Sequence, residues 1–282
     1  MTETEMAKYK KNKSMVQRRL IPTYIFLAII AFVSVFPFYW MVSAATNTSL
    51  NVARGRIIPG TNAIVNFQNL IHSQNLGGAM GNSFLYAIVQ VLLALFVCSL
   101  AGFGFELYHD KAKDFVFTIL LLAMMVPQVA TMIPLFRMMS TFGFLNSVWG
   151  FILPSISTPF LIMFFRNNSR SFPAETLEAA RIDGLREFGI FIRMYFPMMR
   201  STYAAAAVIT FMNAWNAYLW PKVVLTQTDA QTMPMLIANL ASGYTIDYGM
   251  LMMGVLFCSI PTMVVFFVLQ KQFTEGMTGA VK

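Results

Sequence analysis

The sequence predicts an all-α, polytopic membrane protein with six transmembrane helices, and three observations carry that prediction. Residues of the set AVILMFWYC make up 57% of the 282-residue chain and charged residues only 11%, where a soluble domain carries about 25% charge to keep its surface wet. The apolar residues gather into six runs, each near the roughly 20 residues that a helix needs to cross a bilayer. Lysine and arginine collect in alternate connections between those runs, as the positive-inside rule requires. Too few charges remain to wet a soluble enzyme of this size. The 27 Phe and 22 Met suit lipid-facing and interhelical positions.

The runs lie at about 20–42, 83–105, 115–136, 147–165, 202–221 and 248–270. They divide the chain into a basic N-terminal segment 1–19, a membrane body 20–270 and a short tail 271–282. The first run is longer than the ~7–15 apolar residues of a signal-peptide core, so it reads as a retained anchor.

Lys8, Lys10, Lys11, Lys13, Arg18 and Arg19 precede it. Arg54 and Arg56 are the only basic residues of the next connection, and Lys111 and Lys113 lie in the turn Glu106–Asp114. Segment 166–201 holds Arg166, Arg170, Arg181, Arg186, Arg193 and Arg200, whereas 222–247 holds Lys222 alone. This alternation places both termini, the 106–114 turn and the arginine-rich segment in the cytoplasm, with Arg137 the one dissenting charge. Positive charge beside apolar spans is what anionic headgroups select, so the net charge of +8 points to the bilayer and not to nucleic acid.

The middles of all six runs lack Asp, Glu, Lys, Arg and His. Proton- or sodium-driven carriers, intramembrane proteases and metal enzymes all need such groups inside the membrane. His72 and His109 fall in connections on opposite sides, leaving no metal cluster or catalytic triad. Cys98 and Cys258 lie inside apolar runs and do not read as a disulfide. No G-x-x-x-x-G-K-[ST] loop is present, so any nucleotide must be bound by another subunit. This pattern predicts that energy and chemistry come from elsewhere and that the solute carries no net charge.

Segment 166–201 is long for a connection and is patterned as helix. Pro173 suits a first helical turn, Glu175 and Glu178 near the start and Arg181 near the end complement the helix dipole, and Gly184 stops the helix where a positive φ is needed. Leu177, Ala179 and Ala180 form a small apolar ridge. A second helical stretch, Leu185 to Tyr195, sets Leu185, Phe188 and Ile192 on one face. Two uses fit such a segment: an amphipathic helix lying on headgroups, or a helix docked in a cleft of a cytoplasmic partner.

Glu178-Ala179-Ala180, three residues, Gly184, nine residues, then Met194-Tyr195-Phe196-Pro197 resembles the EAA signature of bacterial ABC-importer permeases, which ends in I-x-L-P. Met194 and Phe196 are apolar departures from that ending. Asn66-Phe67 through Asn82-Ser83, Met125-Val126-Pro127 through Ile133-Pro134-Leu135, Phe151-Ile152-Leu153-Pro154, Trp215 through Pro221, and Gly276-Met277-Thr278-Gly279 extend the resemblance to the carbohydrate branch, specifically its maltose-type second permease subunit.

The resemblance implies a type I importer architecture in the bacterial inner membrane. A second, different permease subunit would complete the pore, two ATPase subunits would carry ATP and magnesium, and an extracytoplasmic sugar-binding protein would deliver the substrate. It implies that Glu178 meets a basic residue of the ATPase, that Ala179 and Ala180 allow close approach, and that Asp183 and Gly184 shape the turn. This chain itself would hold no cofactor or metal and no catalytic residue.

The fifth run carries Asn213, Trp215, Asn216, Tyr218 and Trp220 at a depth where lipid penalises amides. Asn213 and Asn216, three apart, should point into the bundle, where amides and aromatic rings match the hydroxyls and C–H faces of a neutral sugar. Asparagine can equally serve as interhelical glue, and Trp and Tyr can form an interfacial belt. Thr228, Asp229, Tyr244 and Asp247, in or beside the connection 222–247, are candidate contacts for the binding protein. The rival reading is a polytopic membrane enzyme, or an assembly scaffold, with an interfacial helix.

Overall fold

A computed structural model describes residues 20–108 and 110–270 with their side chains, and the backbone alone over 3–19 and 271–278. The side chains of the basic N-terminal cluster, His109 and the Gly276–Gly279 tail lie outside the described residues. All regular structure among the described residues is helical. The chain divides into two compact units: the part up to Asn69 together with Asp247–Leu256, and Leu70–Ile246 together with the part from Phe257 onward.

In the first unit, α1 (Glu3–Ala45), α2 (Ser49–Ala53) and the start of α3 (Ala63–Ser73) are joined by amide side chains. Asn66 is 2% exposed and donates its Nδ2 hydrogens to the carbonyls of Ala45 and Asn47, each at 2.8 Å. Asn47 Nδ2 donates in turn to Ser43 O and Ile58 O, both at 2.9 Å. The stretch of this unit from Asp247 brings Gly249 so close that a Cβ would lie 2.6 Å from Asn47 O. Only glycine fits there.

The second unit is built on α4 (Leu76–Leu107), 32 residues without proline. Asn75 starts it by accepting from Gly78 N–H at 3.0 Å. α5 (Lys111–Ala123) and α6 (Gln128–Thr141) follow as one apolar pair bent by 103°. The bend falls at Pro127, which has an extended ψ of 129° and no N–H to continue a helix. α7 (Val148–Ile152) with the turn Leu153–Ser155, and α8 (Pro159–Ser169), form a second pair bent by 50°. Thr158, before Pro159, is held extended at ψ 131°, as proline imposes on its predecessor.

Next come α9 (Ala174–Ile182), α10 (Glu187–Ile190), a π-turn Phe191–Tyr195, α11 (Phe196–Met198), α12 (Arg200–Trp215), α13 (Leu219–Val224) and α14 (Met233–Ala241). The final helix is α15 (Tyr248–Thr278).

Three of the predicted spans are therefore single helices long and apolar enough to cross a bilayer: Leu20–Ala45, Leu76–Leu107 and Tyr248–Gln270. Two more are the bent pairs. The run predicted at about 202–221 is different. It is a 16-residue helix, about 24 Å long, that stops at Asn216, whose Nδ2 turns back to Met212 O at 2.9 Å.

Two clusters near opposite ends of α4 form the core of this unit. Near its start, Tyr86 packs with Phe151, Ile152, Trp220 and Val224. Near its end, Phe103 packs with Phe165, Phe191 and Tyr195. Gly102 lets α8 approach there, since a Cβ would stand 2.6 Å from Phe165 Cβ and 2.8 Å from Arg166 N. One residue on, Arg166 is only 8% exposed, yet it meets Asp114 at 2.8 Å and Glu106 at 3.2 Å. Its guanidinium lies 4.1 Å from the centre of the Phe117 ring. Two carboxylates and an aromatic face make burial of that charge tolerable.

Candidate functional site

Segment 166–201 folds as a helix, a glycine turn and a second helical stretch. Pro173 stands one position before α9 as its N-cap. The helix ends in a closed turn: Asp183 N–H donates to Ala179 O, Gly184 N–H to Arg181 O, and Leu185 N–H to Ala180 O, each at 3.0 Å. Gly184 has φ +80°, the left-handed conformation this turn demands.

Leu177 and Ala180 pack inward on the aromatic core, whereas Glu178, Ala179, Ile182 and Asp183 are exposed. The open face of α9 is thus Glu178, Ala179 and Ile182, and the expected ridge of Leu177 and Ala180 is already used by the chain itself.

The second stretch keeps its expected apolar residues mostly on the outside. Phe188 and Ile192 are exposed, Leu185 is half-buried, and Ile190, Phe191 and Tyr195 are the buried residues. The π-turn adds a residue per turn and brings Phe191 and Tyr195 together, stacked 5.5 Å apart. Tyr195 also shares a 2.7 Å hydrogen bond with Ser169 inside the core.

The loop is fastened to the end of α4. The Tyr108 hydroxyl donates to the Glu187 carboxylate. Arg181 Nε donates to the same carboxylate at 3.0 Å and lies 5.5 Å from the centre of the Tyr108 ring. The Tyr108 hydroxyl, then Arg181, hold the Glu187 carboxyl below its usual range. Sequence reading assigned Tyr108 and Glu187 no role. Nothing in local spacing joins residues on two segments so far apart.

A cavity of about 690 Å³ lies between α4, the α7–α8 bend and the break after α12. Of the candidate residues in the fifth run, Asn213, Asn216, Tyr218 and Trp220 line it. Trp215 does not: it is 1% exposed, stacks on Phe211 at 5.6 Å and donates Nε1–H to Cys258 O at 3.0 Å. Trp220 also anchors the wall, donating to Gly150 O at 3.1 Å. Gln90, Gln128, Thr158 and Thr210 add further polar groups. These were missed because a lone neutral amide or hydroxyl in an apolar run gives no pattern. Among the described residues, none lining the cavity is charged.

Thr228 and Asp229 sit in a turn that Asn82 holds by donating to Asp229 O at 2.7 Å and Gln231 O at 3.0 Å. Tyr244 is fully exposed. Asp247 belongs to the first unit, where its carboxylate accepts from Gly249 and Met250 N–H at 3.0 and 3.1 Å. It caps a helix start. Among the described residues there is no cluster of three or more His, Cys, Asp or Glu side chains that could hold a metal.

Residues 94–279 match the family described as the binding-protein-dependent transport system inner membrane component. The chain is 44% identical over 268 residues to the lactose transport system permease protein LacG of Rhizobium radiobacter, covering 94% of this chain and 98% of that one. It is 35% identical over 261 residues to the arabinooligosaccharides transport system permease protein AraQ of Halalkalibacterium halodurans, covering 90% and 94%. Its fold matches a chain in the crystal structure of a bacterial ABC transporter involved in the import of the acidic polysaccharide alginate, with a TM-score of 0.82 at 20% identity over 91% of this chain and 97% of that one. Relatives alike over nearly their whole length are transport permeases and not enzymes, which removes the enzyme alternative. An apolar helical chain with this fold and these relatives belongs to the binding-protein-dependent transport system inner membrane component family, as a membrane-embedded permease.

Proposed function

We propose that this chain is one permease subunit of an ATP-driven, binding-protein-dependent importer of a neutral sugar of two or more units, in the bacterial inner membrane. It crosses that membrane six times with both termini in the cytoplasm. A second, different permease supplies the other half of the pathway. Two ATPase subunits hold ATP and magnesium and dock on the loop 166–201 through Glu178 and Ala179, with Asp183 and Gly184 setting the turn and Ala180 seating the helix. An extracytoplasmic sugar-binding protein meets the chain through Thr228, Asp229 and Tyr244, and Asp247 shapes the start of α15. Transport proceeds by alternating access, as the ATPases move α9 and α9 moves the helices beside it.

The observation that carries this reading is the uncharged, amide-lined cavity. Its volume of about 690 Å³ falls within the ~300–1,000 Å³ of small-molecule sites. Asn213, Asn216, Gln90 and Gln128 offer both donors and acceptors, and Tyr218 offers a ring face, which is how hydroxyls and C–H surfaces are matched. An anionic cargo would need a cation here. The lactose and arabinooligosaccharide substrates named for the two relatives are neutral.

The test is sugar-stimulated ATP hydrolysis and uptake by the reconstituted complex across a panel of neutral disaccharides, neutral oligosaccharides and uronic-acid oligosaccharides. Stimulation by a neutral sugar, weakened by Asn213→Ala mainly through KM, is expected. Stimulation confined to the anionic sugars would overturn the reading.

A further inference from the structure

The stretch that carries segment 166–201 back into the bilayer has an outer face that the transport reading leaves unused. Helical hydrogen bonding runs through it into α12, with Met199 N–H on Tyr195 O and Tyr203 N–H on Met199 O, each at 3.0 Å. Its inner face is Ile190, Phe191, Tyr195 and Met199, all buried. Its outer face shows Phe188 at 58%, Ile192 at 43% and Phe196 at 50% exposure. In a regular α-helix, residues four apart drift around the axis. The π-turn between Phe191 and Tyr195 adds a residue per turn and keeps these three in one stripe.

Arg193, next to Ile192, and Arg200, four residues beyond Phe196, are also exposed. Among the described residues, neither makes an ion pair, whereas Arg166, Arg170 and Arg181 of the same segment each do.

The depth of this face follows from α4. Its 32 residues span about 48 Å, some ~18 Å more than the ~30 Å hydrocarbon layer, so about six residues at each end stand at headgroup level. Phe103 is four residues from the end of α4, and its ring centre lies 4.9 Å from that of Tyr195 and 5.4 Å from that of Phe191. The level of Phe191 and Tyr195 is therefore the boundary between acyl chains and headgroups, with Glu187, tied to Tyr108 past the end of α4, on the aqueous side. Arg193 stands at headgroup level, and Arg200, further toward the bilayer, reaches that level by extending its side chain.

We propose that this face is a binding site for anionic phospholipid. Arg193 and Arg200 hold the headgroup phosphate, and Phe196, between them along the helix, packs against the top of the lipid. The site pins the returning end of the loop to the membrane while α9 stays free for a protein partner. A basic residue at a membrane surface strengthens anionic-lipid binding about fivefold, so the pair should confer a preference of about 25-fold over a zwitterionic lipid of the same chain length.

The experiment is native mass spectrometry of the full chain, purified with its co-expressed partners and titrated with phosphatidylglycerol or phosphatidylcholine of matched acyl chains. The wild type should retain phosphatidylglycerol with about that preference. R193Q/R200Q should lose it, R193K/R200K should keep most of it, and R54Q/R56Q should match the wild type. Phe196→Ser should weaken both lipids alike. An unchanged preference in R193Q/R200Q would overturn the site. So would displacement of the lipid by inorganic phosphate, which would make this a free-anion site. Loss of ATP hydrolysis in R193Q/R200Q with lipid preference intact would assign the arginines to the ATPase and overturn it as well.

Discussion

Tyr108, at the end of α4, donates its hydroxyl hydrogen to the carboxylate of Glu187, 79 residues further along the chain. Arg181 of α9 grips the same carboxylate at 3.0 Å, so three segments meet at one anion. The contact ties the helix proposed to receive force to a helix long enough to cross the bilayer. Exposed pairs of this kind are individually weak, worth less than about fivefold in an opening equilibrium. Tyr108→Phe and Glu187→Gln should each raise amide exchange over residues 174–190 by two- to fivefold. They should lower the ratio of sugar uptake to ATP hydrolysed, with basal hydrolysis unchanged. Unaltered exchange in both variants would show that the tie carries no load.

The same contact predicts a pH dependence with a definite sign. The Tyr108 hydroxyl first, and Arg181 after it, hold the Glu187 carboxyl below its ordinary range. A group depressed in the folded state adds stability above its unfolded value, about 4.3 for glutamate, and that stability is lost as pH falls through the depressed value. Exchange in the loop, corrected for intrinsic rate, should therefore differ between wild type and Glu187→Gln at neutral pH and converge below about pH 4. Curves that stay parallel throughout would rule out the carboxylate as the source.

Gly184 separates conformation from space. A Cβ there would meet nothing within 4 Å, yet φ is +80°. Asparagine tolerates that conformation, alanine is strained by about 1–2 kcal/mol, and proline, fixed near −65°, cannot adopt it. Proline also removes the N–H that Gly184 gives to Arg181 O. Uptake should fall in the order Gly, Asn, Ala, Pro, with Gly184→Pro inserted in the membrane but uncoupled. Glu178→Lys should uncouple the complex without unfolding the loop, since Glu178 is exposed. Normal uptake by both Gly184→Pro and Glu178→Lys would dismiss the docking role of α9.

Hydropathy and charge made the fold class legible, because lipid demands long apolar runs and marks their ends with arginine and lysine. The same measure is blind to breaks. Pro127 and Pro159 stand inside apolar stretches, and the two bent pairs read as single spans. Spacing located the turn at Gly184 and grouped Phe188 with Ile192, but it named none of the residues that the next helix buries. The π-turn brings Phe191 and Tyr195 together on the inside, and a regular 3.6-residue period does not show that pairing. Polarity in the fifth run picked out Asn213, Asn216 and Trp215 alike; the two amides line the cavity and Trp215 does not, since an indole satisfied by a backbone carbonyl looks the same in sequence as one facing a cavity. Gln90 and Gln128 became part of a site only when three helices and a bend converged on them.

Asn146 supplies the last test, and it concerns the turn proposed to meet the sugar-binding protein. It is the one non-glycine residue with positive φ among the described residues, at 55°. Its Oδ1 accepts from Thr226 N–H at 2.6 Å and Gln227 N–H at 2.9 Å, and its own N–H donates to Val224 O at 2.9 Å. One side chain thus fixes the strand of chain leading into the Thr228–Asp229 turn, which Asn82 holds from the other side. Asn146→Asp keeps the acceptor and should behave as wild type. Asn146→Gly keeps the conformation but loses both bonds, at a cost of about 1–2 kcal/mol, and Asn146→Ala adds about 1 kcal/mol of left-handed strain. Protease susceptibility at residues 226–231 should rise in the order Asp, Gly, Ala, and stimulation of ATP hydrolysis by the loaded binding protein should fall in parallel. If cleavage rises while stimulation holds, the turn is structural and the binding protein docks elsewhere.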